Sequence, residues 1–400
     1  AGRGDRRPDR KICRIAKATR QRLTVCPAFL GRAHEPAITT RSDMKMQRNR
    51  PIITKPRTLW LGVIVVGAIA VGAISVIMLA AAGAGDWRTG PASSTQLPPA
   101  AFTLAQIEQR LQAAETQFSD IRPGLENSVK WADQPQKRTA FSIVYIHGFS
   151  ASKEELRPVP DKLAAHLGAN IFFTRLTGHG RTADAMRDAS LDAWMQDLAE
   201  AFAVGTTIGD KVIVISCSTG GTIVAQGVAR GMFSKKLFST VFVSPNFGVQ
   251  DKMAPLLTWP LARFWAPLIG GEMQTSQPRN ARHARYWTTS YPTISLIPMM
   301  KLIKATKNAD MAHSDLPALF YFSPDDKVVD PQQTEDFIRR WRGPKQIVRM
   351  AGSDSEDHLN HLITGDVVSP GQVTHSVDSI ITWHNRIVEH NQIVDRPAKK

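Results

Sequence analysis

The run Ser216-Cys217-Ser218-Thr219-Gly220-Gly221 joins an apolar stretch, residues 212–216, to a segment of helical character, residues 222–232. A serine in such a strand, tight turn and helix context is held away from the sheet with its hydroxyl at the positive end of the helix. An attacking alkoxide and a tetrahedral anion are both stabilised there. The turn requires small residues two before and two after the serine, which here are Ser216 and Gly220, the first a looser fit than glycine. A serine hydroxyl is a poor nucleophile at neutral pH. It needs a histidine as base and a carboxylate to fix the imidazole tautomer. After the apolar run 318–322 come three carboxylates, Asp325, Asp326 and Asp330, and within residues 354–366 two histidines compete, His358 and His361. The chemistry on offer is acyl transfer through a Ser-His-Asp relay.

Upstream, the first strong apolar run ends in His147-Gly148-Phe149-Ser150, and Gly178-His179-Gly180 follows. With these motifs in this order, over roughly residues 131–390, the chain resembles the α/β-hydrolase fold family, in its esterase, monoacylglycerol-lipase-like and serine-aminopeptidase-like branch. In that family the acid stands in an Asp-x-x-Val context, which implies Asp326. Similar hydrolases read Asn-His-apolar-apolar-x-Gly-Asp at the base, which implies His361 through residues 360–366. The resemblance also implies that the backbone N–H groups of Phe149 and Thr219 form the oxyanion hole, where loss of one donor costs on the order of 10²-fold in turnover. His147 and His179 are expected to orient loops rather than to react. Such a triad requires no metal and no organic cofactor. An aspartate nucleophile, as in dehalogenases of the same fold, is disfavoured by Ser218.

Positioning these residues requires a sheet. Apolar runs at 142–146, 171–175, 212–216, 240–243, 318–322 and 346–350 alternate with helical segments. Continuous apolar strands between helices predict an α/β fold with a mostly parallel sheet buried on both faces. Thr103 and Gln106 predict a capping box opening a helix to about residue 119. Residues 250–312 predict a helical lid insertion, with eight Lys and Arg, three Asp and Glu, and six aromatic residues including Trp259, Trp287 and Tyr291. Its basic character, with Arg279, Arg282 and Arg285 close together, suits an anionic lipid surface. It does not suit the acidic lid that holds a substrate amine in proline iminopeptidases. The histidines of the last helix, His375, His384 and His390, are expected at the surface.

The net charge of +15 over 400 residues is concentrated in residues 1–58, which hold 16 basic and four acidic side chains; residues 59–400 carry only +3. A basic face for nucleic acid is therefore excluded. Residues 59–85 are uncharged and apolar, long enough to cross a bilayer and longer than the ~7–15 residues of a signal-peptide core, despite a small-x-small site at Ala82-Gly83-Ala84. Six basic residues precede this run within 20 positions against one after it, which predicts a single-pass anchor in the inner membrane, the N-terminus cytoplasmic and the rest exported. The domains expected are thus a basic tail (1–58, of which 1–43 is either an over-extended start or a disordered tail), an anchor (59–85), a Pro/Ser/Thr linker (86–100) and a hydrolase domain (101–395). Cys217 is the sole cysteine after the anchor, so no disulfide is expected in that domain, and no Cys/His cluster has zinc-ligand spacing. The function expected is membrane-anchored hydrolysis of acyl esters, small-molecule or lipid. The alternatives are a hydrolase-fold protein that binds lipid or a partner without catalysis, consistent with Ser at position 216, and an aminopeptidase-like enzyme.

Overall fold

A computed structural model describes residues 103–311 and 314–394, together with Gly72. The anchor, linker and basic tail lie outside the described residues, apart from Gly72, and no helix among those described is long and apolar enough to cross a membrane.

Seven strands form one sheet in the order β1-β3-β2-β4-β5-β8-β9: β1 Ser128–Lys130, β2 Thr139–Ile146, β3 Asn170–Phe173, β4 Gly209–Cys217, β5 Leu237–Val243, β8 Ala318–Phe322 and β9 Lys345–Arg349. Only β1 runs antiparallel, against β3; the remaining pairs are parallel. Parallel strands need crossovers, supplied here by α2 (Val159–Leu167), α3 (Leu191–Ile208), α4 (Thr219–Ala229) and α8 (Pro331–Arg340), while α9 (Val373–Val394) follows the last strand. A short helix α1, Ile107–Glu115, precedes the sheet.

Alternation along the strands divides the core between two faces. Val144, Val212, Val214, Phe242 and Phe320 face α3, α4 and α8, where Phe242 stacks on Phe320 at 5.0 Å and Trp341 closes the layer. Ile143, Tyr145, Ile213, Cys217, Val243 and Tyr321 face α2 and α9. Both faces are dry, which is why the strands read as unbroken apolar runs.

Between β5 and β8 the expected insertion holds α5 (Ala262–Gly270), a hairpin of β6 (Met273–Thr275) with β7 (Ser290–Pro292), α6 (Ala281–Tyr286) and α7 (Leu296–Lys307). Two local expectations are corrected. Thr103 makes no side-chain cap, and the first helix begins as a 3-10 turn at Leu104–Gln106 and ends at Glu115. His384 is buried edge-on against Phe141 at 4.9 Å instead of lying at the surface: it falls on the apolar face of α9, with Val377, Ile380 and Ile387, that packs on the sheet.

Candidate active site

The loops that follow β2, β4 and β8, with the one after β9, meet at the carboxyl end of the sheet, where ligands of open α/β sheets bind. Strand β4 delivers Ser218 into a turn with φ 47° and ψ −118°, a left-handed conformation in which a non-glycine residue is strained. The turn is over-determined. Ser218 N–H donates to Val243 O at 3.0 Å, and Ser218 O accepts from Gly221 N at 2.9 Å and Asn246 N at 3.0 Å. A Cβ at Gly220 would lie 2.3 Å from Ile146 O, so only glycine fits. Ser216, the unusual residue of the motif, is accommodated because its hydroxyl donates to Val241 O on β5 at 3.1 Å.

His361 Nε2 lies 3.1 Å from Ser218 Oγ, and its Nδ1 lies 2.8 Å from Asp326 Oδ2. The other oxygen of Asp326 accepts the N–H groups of Val328 and Val329 at 2.8 and 2.9 Å, which fixes the carboxylate toward the imidazole. The rival residues are engaged elsewhere. Asp325 accepts from Gly352 N, Asp330 caps α8 through Gln332 N, and the His358 side chain is 73% exposed with Nδ1 3.7 Å from Asp357. Burial alone would depress the His361 pKa, but Asp326, with Glu155 and Asp357 behind it, more than offsets this and leaves it raised.

The turn after β2 carries the second half of the site. Gly148 N donates to Glu155 Oε2 at 2.7 Å, Ser150 N to His179 Nε2 at 2.9 Å and Ala151 N to Gly148 O at 3.3 Å. The N–H of Phe149 has no acceptor among the described residues. Thr219 opens α4, so its N–H belongs to the first helical turn, where intrahelical acceptors are missing. A Cβ on Gly148 would stand 3.0 Å from Ser218 Cβ, a measure of how closely the turn approaches Ser218.

His147 and His179 are structural, as expected. His147 Nε2 accepts from Leu176 N at 3.2 Å, and the Nδ1 atoms of the two rings face the carbonyls of Gly148 and Thr177 at 2.8 and 3.1 Å. Burial drives both rings to neutrality, His179 down to about 4. Two buried carboxylates at the site escaped the reading of motifs. Glu155, pushed up by burial, ties Gly148 to the hydroxyl of Tyr145 at 3.0 Å. Asp357 lies under the His361 loop. An acid in a loop looks solvated until its burial is known, so no local signal marks either residue.

The profile of the serine aminopeptidase, S33 family matches residues 137–353, more than half of the chain and inclusive of Ser218 and Asp326. The chain belongs to this family. His361 lies beyond the matched segment. The sequence matches no curated protein at a significant level. Similar solved structures include one from work on LipS and LipT, two metagenome-derived lipolytic enzymes (16% identity, TM-score 0.52, covering 66% of this chain and 99% of that one). A soluble variant of monoglyceride lipase from Saccharomyces cerevisiae, in complex with a substrate analogue, is another (14% identity, TM-score 0.51, 68% and 97%). At such identities the likeness is one of fold. This member of the S33 family has the α/β-hydrolase fold and is a hydrolase of the serine type.

Proposed function

We propose that this S33-family member cleaves carboxylic esters of acyl chains through an acyl-enzyme formed on Ser218. The observation that carries the reading is the chain of contacts from Ser218 Oγ to His361 Nε2 at 3.1 Å and from His361 Nδ1 to Asp326 at 2.8 Å. His361 takes the Ser218 proton as Oγ attacks the carbonyl carbon. The oxyanion that forms is received by the N–H groups of Phe149 and Thr219, and collapse expels the alcohol, which leaves with the proton from His361. Water, activated by the same imidazole, then releases the acid and restores the serine.

An ester is favoured over a peptide amine by the insertion, which acts as a cover in this reading. It holds eight Lys and Arg against three acids, and Asp251 and Glu272 are exposed. An insertion so poor in acids offers an ammonium group few partners. Phe149 meets Tyr291 of the insertion edge-on at 5.0 Å, and Met299 touches Asn246 beside Thr219, so apolar groups of the insertion stand next to the turns around Ser218, which suits an acyl chain. The run 59–85 supports a second part of the proposal, that the enzyme is held on the exported side of the inner membrane by a single span.

The test is fluorophosphonate labelling and turnover of p-nitrophenyl esters of graded chain length. Ser218→Ala should lose both while keeping the melting curve of the parent. Labelling that persists in Ser218→Ala refutes the nucleophile. Faster turnover of aminoacyl p-nitroanilides than of any ester refutes the substrate class.

A further inference from the structure

Beneath the loop that presents His361 lies one carboxylate. Asp357, with no exposed surface, accepts the N–H of His361 at 3.2 Å and of Leu362 at 3.0 Å on Oδ2, and that of Leu359 at 3.3 Å on Oδ1. Arg279 Nε stands 3.3 Å from Oδ1. Burial alone would raise the Asp357 carboxyl, but these N–H groups and the guanidinium hold it below the ordinary carboxylate range, so it is ionised.

Arg279 belongs to the insertion and not to the loop, and its neighbours dock there too. Asn280 Nδ2 donates to Val367 O at 2.6 Å, Arg282 Nη1 to the carbonyl and carboxylate of Asp366 at 3.0 and 3.2 Å, and Trp287 packs with Leu362 and Val367. Of the three arginines read from sequence as a lipid-facing basic patch, Arg279 is turned inward onto Asp357, Arg282 pairs with Asp366 at the surface, and Arg285 is exposed.

We infer that Asp357 and Arg279 are a positioning pair for the base: Asp357 sets the backbone of His361 so that Nε2 meets Ser218, and Arg279 makes that setting depend on the docked insertion. The inference rests on the triad proposed above. Charge is used as well as shape. The anionic groups that face His361 are Asp326 from the loop after β8, Glu155 from the loop after β2 and Asp357 from its own loop. The cation facing Asp357 is Arg279, with His358 at the solvent edge. Removing the anion and removing its counterion therefore move the imidazole in opposite directions.

The experiment is the pH profile of kcat/KM for a p-nitrophenyl ester. The base must be neutral to act, so activity is lost as pH falls through the His361 pKa. Asp357→Asn removes a negative charge, lowers that pKa and moves the acidic limb to lower pH. Arg279→Gln leaves Asp357 uncompensated and moves the limb to higher pH, and Arg279→Lys moves it back. In Asp357→Asn kcat should fall about 10- to 100-fold at unchanged KM, as for misplacement of a reacting group by under ~1 Å. Acidic limbs coincident with the parent in both variants, or an unaltered kcat, overturn the inference. Should Asp357→Asn fail to fold, the direction of the shift in Arg279→Gln decides alone. Failure of Ser218 labelling in the parent protein would instead strike the triad itself, so the two readings fall separately.

Discussion

Ser218 is displayed in a left-handed turn, His361 is buried with both nitrogens engaged, and Asp326 has both oxygens filled by designed donors. Such a site loses function steeply and folding hardly at all when a member is replaced. Asp326→Asn should reduce kcat on the order of 10⁴-fold, since the amide favours the wrong imidazole tautomer, and His361→Ala by several orders of magnitude. His358→Ala should stay within about threefold of the parent. Steady-state kinetics on the three variants check this, and a reversed order of the histidines would overturn it. Because His361 is raised above the usual imidazole range, kcat/KM should decline at a pH above that expected of a free histidine. That Ser218, Asp326 and His361 would meet was legible because each sits in a local pattern. Asp357 and Glu155 were not, since what distinguishes them is the absence of water around them, a property of the fold and not of their neighbours in sequence.

At the scale of elements, the site depends on the closeness of β2 and α4. Gly220→Ala would set a methyl carbon 2.3 Å from Ile146 O and 2.6 Å from His147 O, both backbone atoms that cannot rotate aside. The variant should lose about 3 kcal/mol or more, at the upper end of overpacking costs, seen as a lowered denaturation midpoint. Ser216→Gly gives up one hydrogen bond and should cost only about 1 kcal/mol with turnover retained. Trp341→Ala opens a cavity in the layer under Phe242 and Phe320 and should cost about 3–5 kcal/mol without altering KM. The parallel strands were readable because burial on both faces of the inner ones leaves continuous apolar runs, and the edge strand β9 keeps Ile347 and Val348. β1, β6 and β7 were not, each being three residues long and paired at an edge or in a hairpin, where packing exerts little pressure on composition.

Over the molecule as a whole, polar and apolar parts of the insertion are separated. Arg279 and Arg282 dock on the loop that carries His361, while Trp259, Phe264, Leu268 and Ile269 stand in solvent, the last two 84% and 80% exposed. In keeping with the membrane span proposed for residues 59–85, a bilayer is the surface expected to cover them. Residues 87–400 should sediment with phospholipid vesicles largely independently of salt. Phe264→Ser with Leu268→Ser and Ile269→Ser should cut the bound fraction at least fivefold, and Arg282→Gln should leave it within twofold; the opposite pattern would restore the basic patch. A phosphatase fused after residue 100 should be active only when exported, and activity in the cytoplasm would reverse the topology. The uneven attachment of the insertion has a further outcome. Residues 251–275 are held by the insertion itself, through the β6–β7 hairpin and Thr293, whereas residues 279–287 are bolted to the catalytic framework. Descent with modification can thus rewrite the first stretch, by point change or by exchange of the whole segment, while the arrangement of Ser218, His361 and Asp326 is inherited intact.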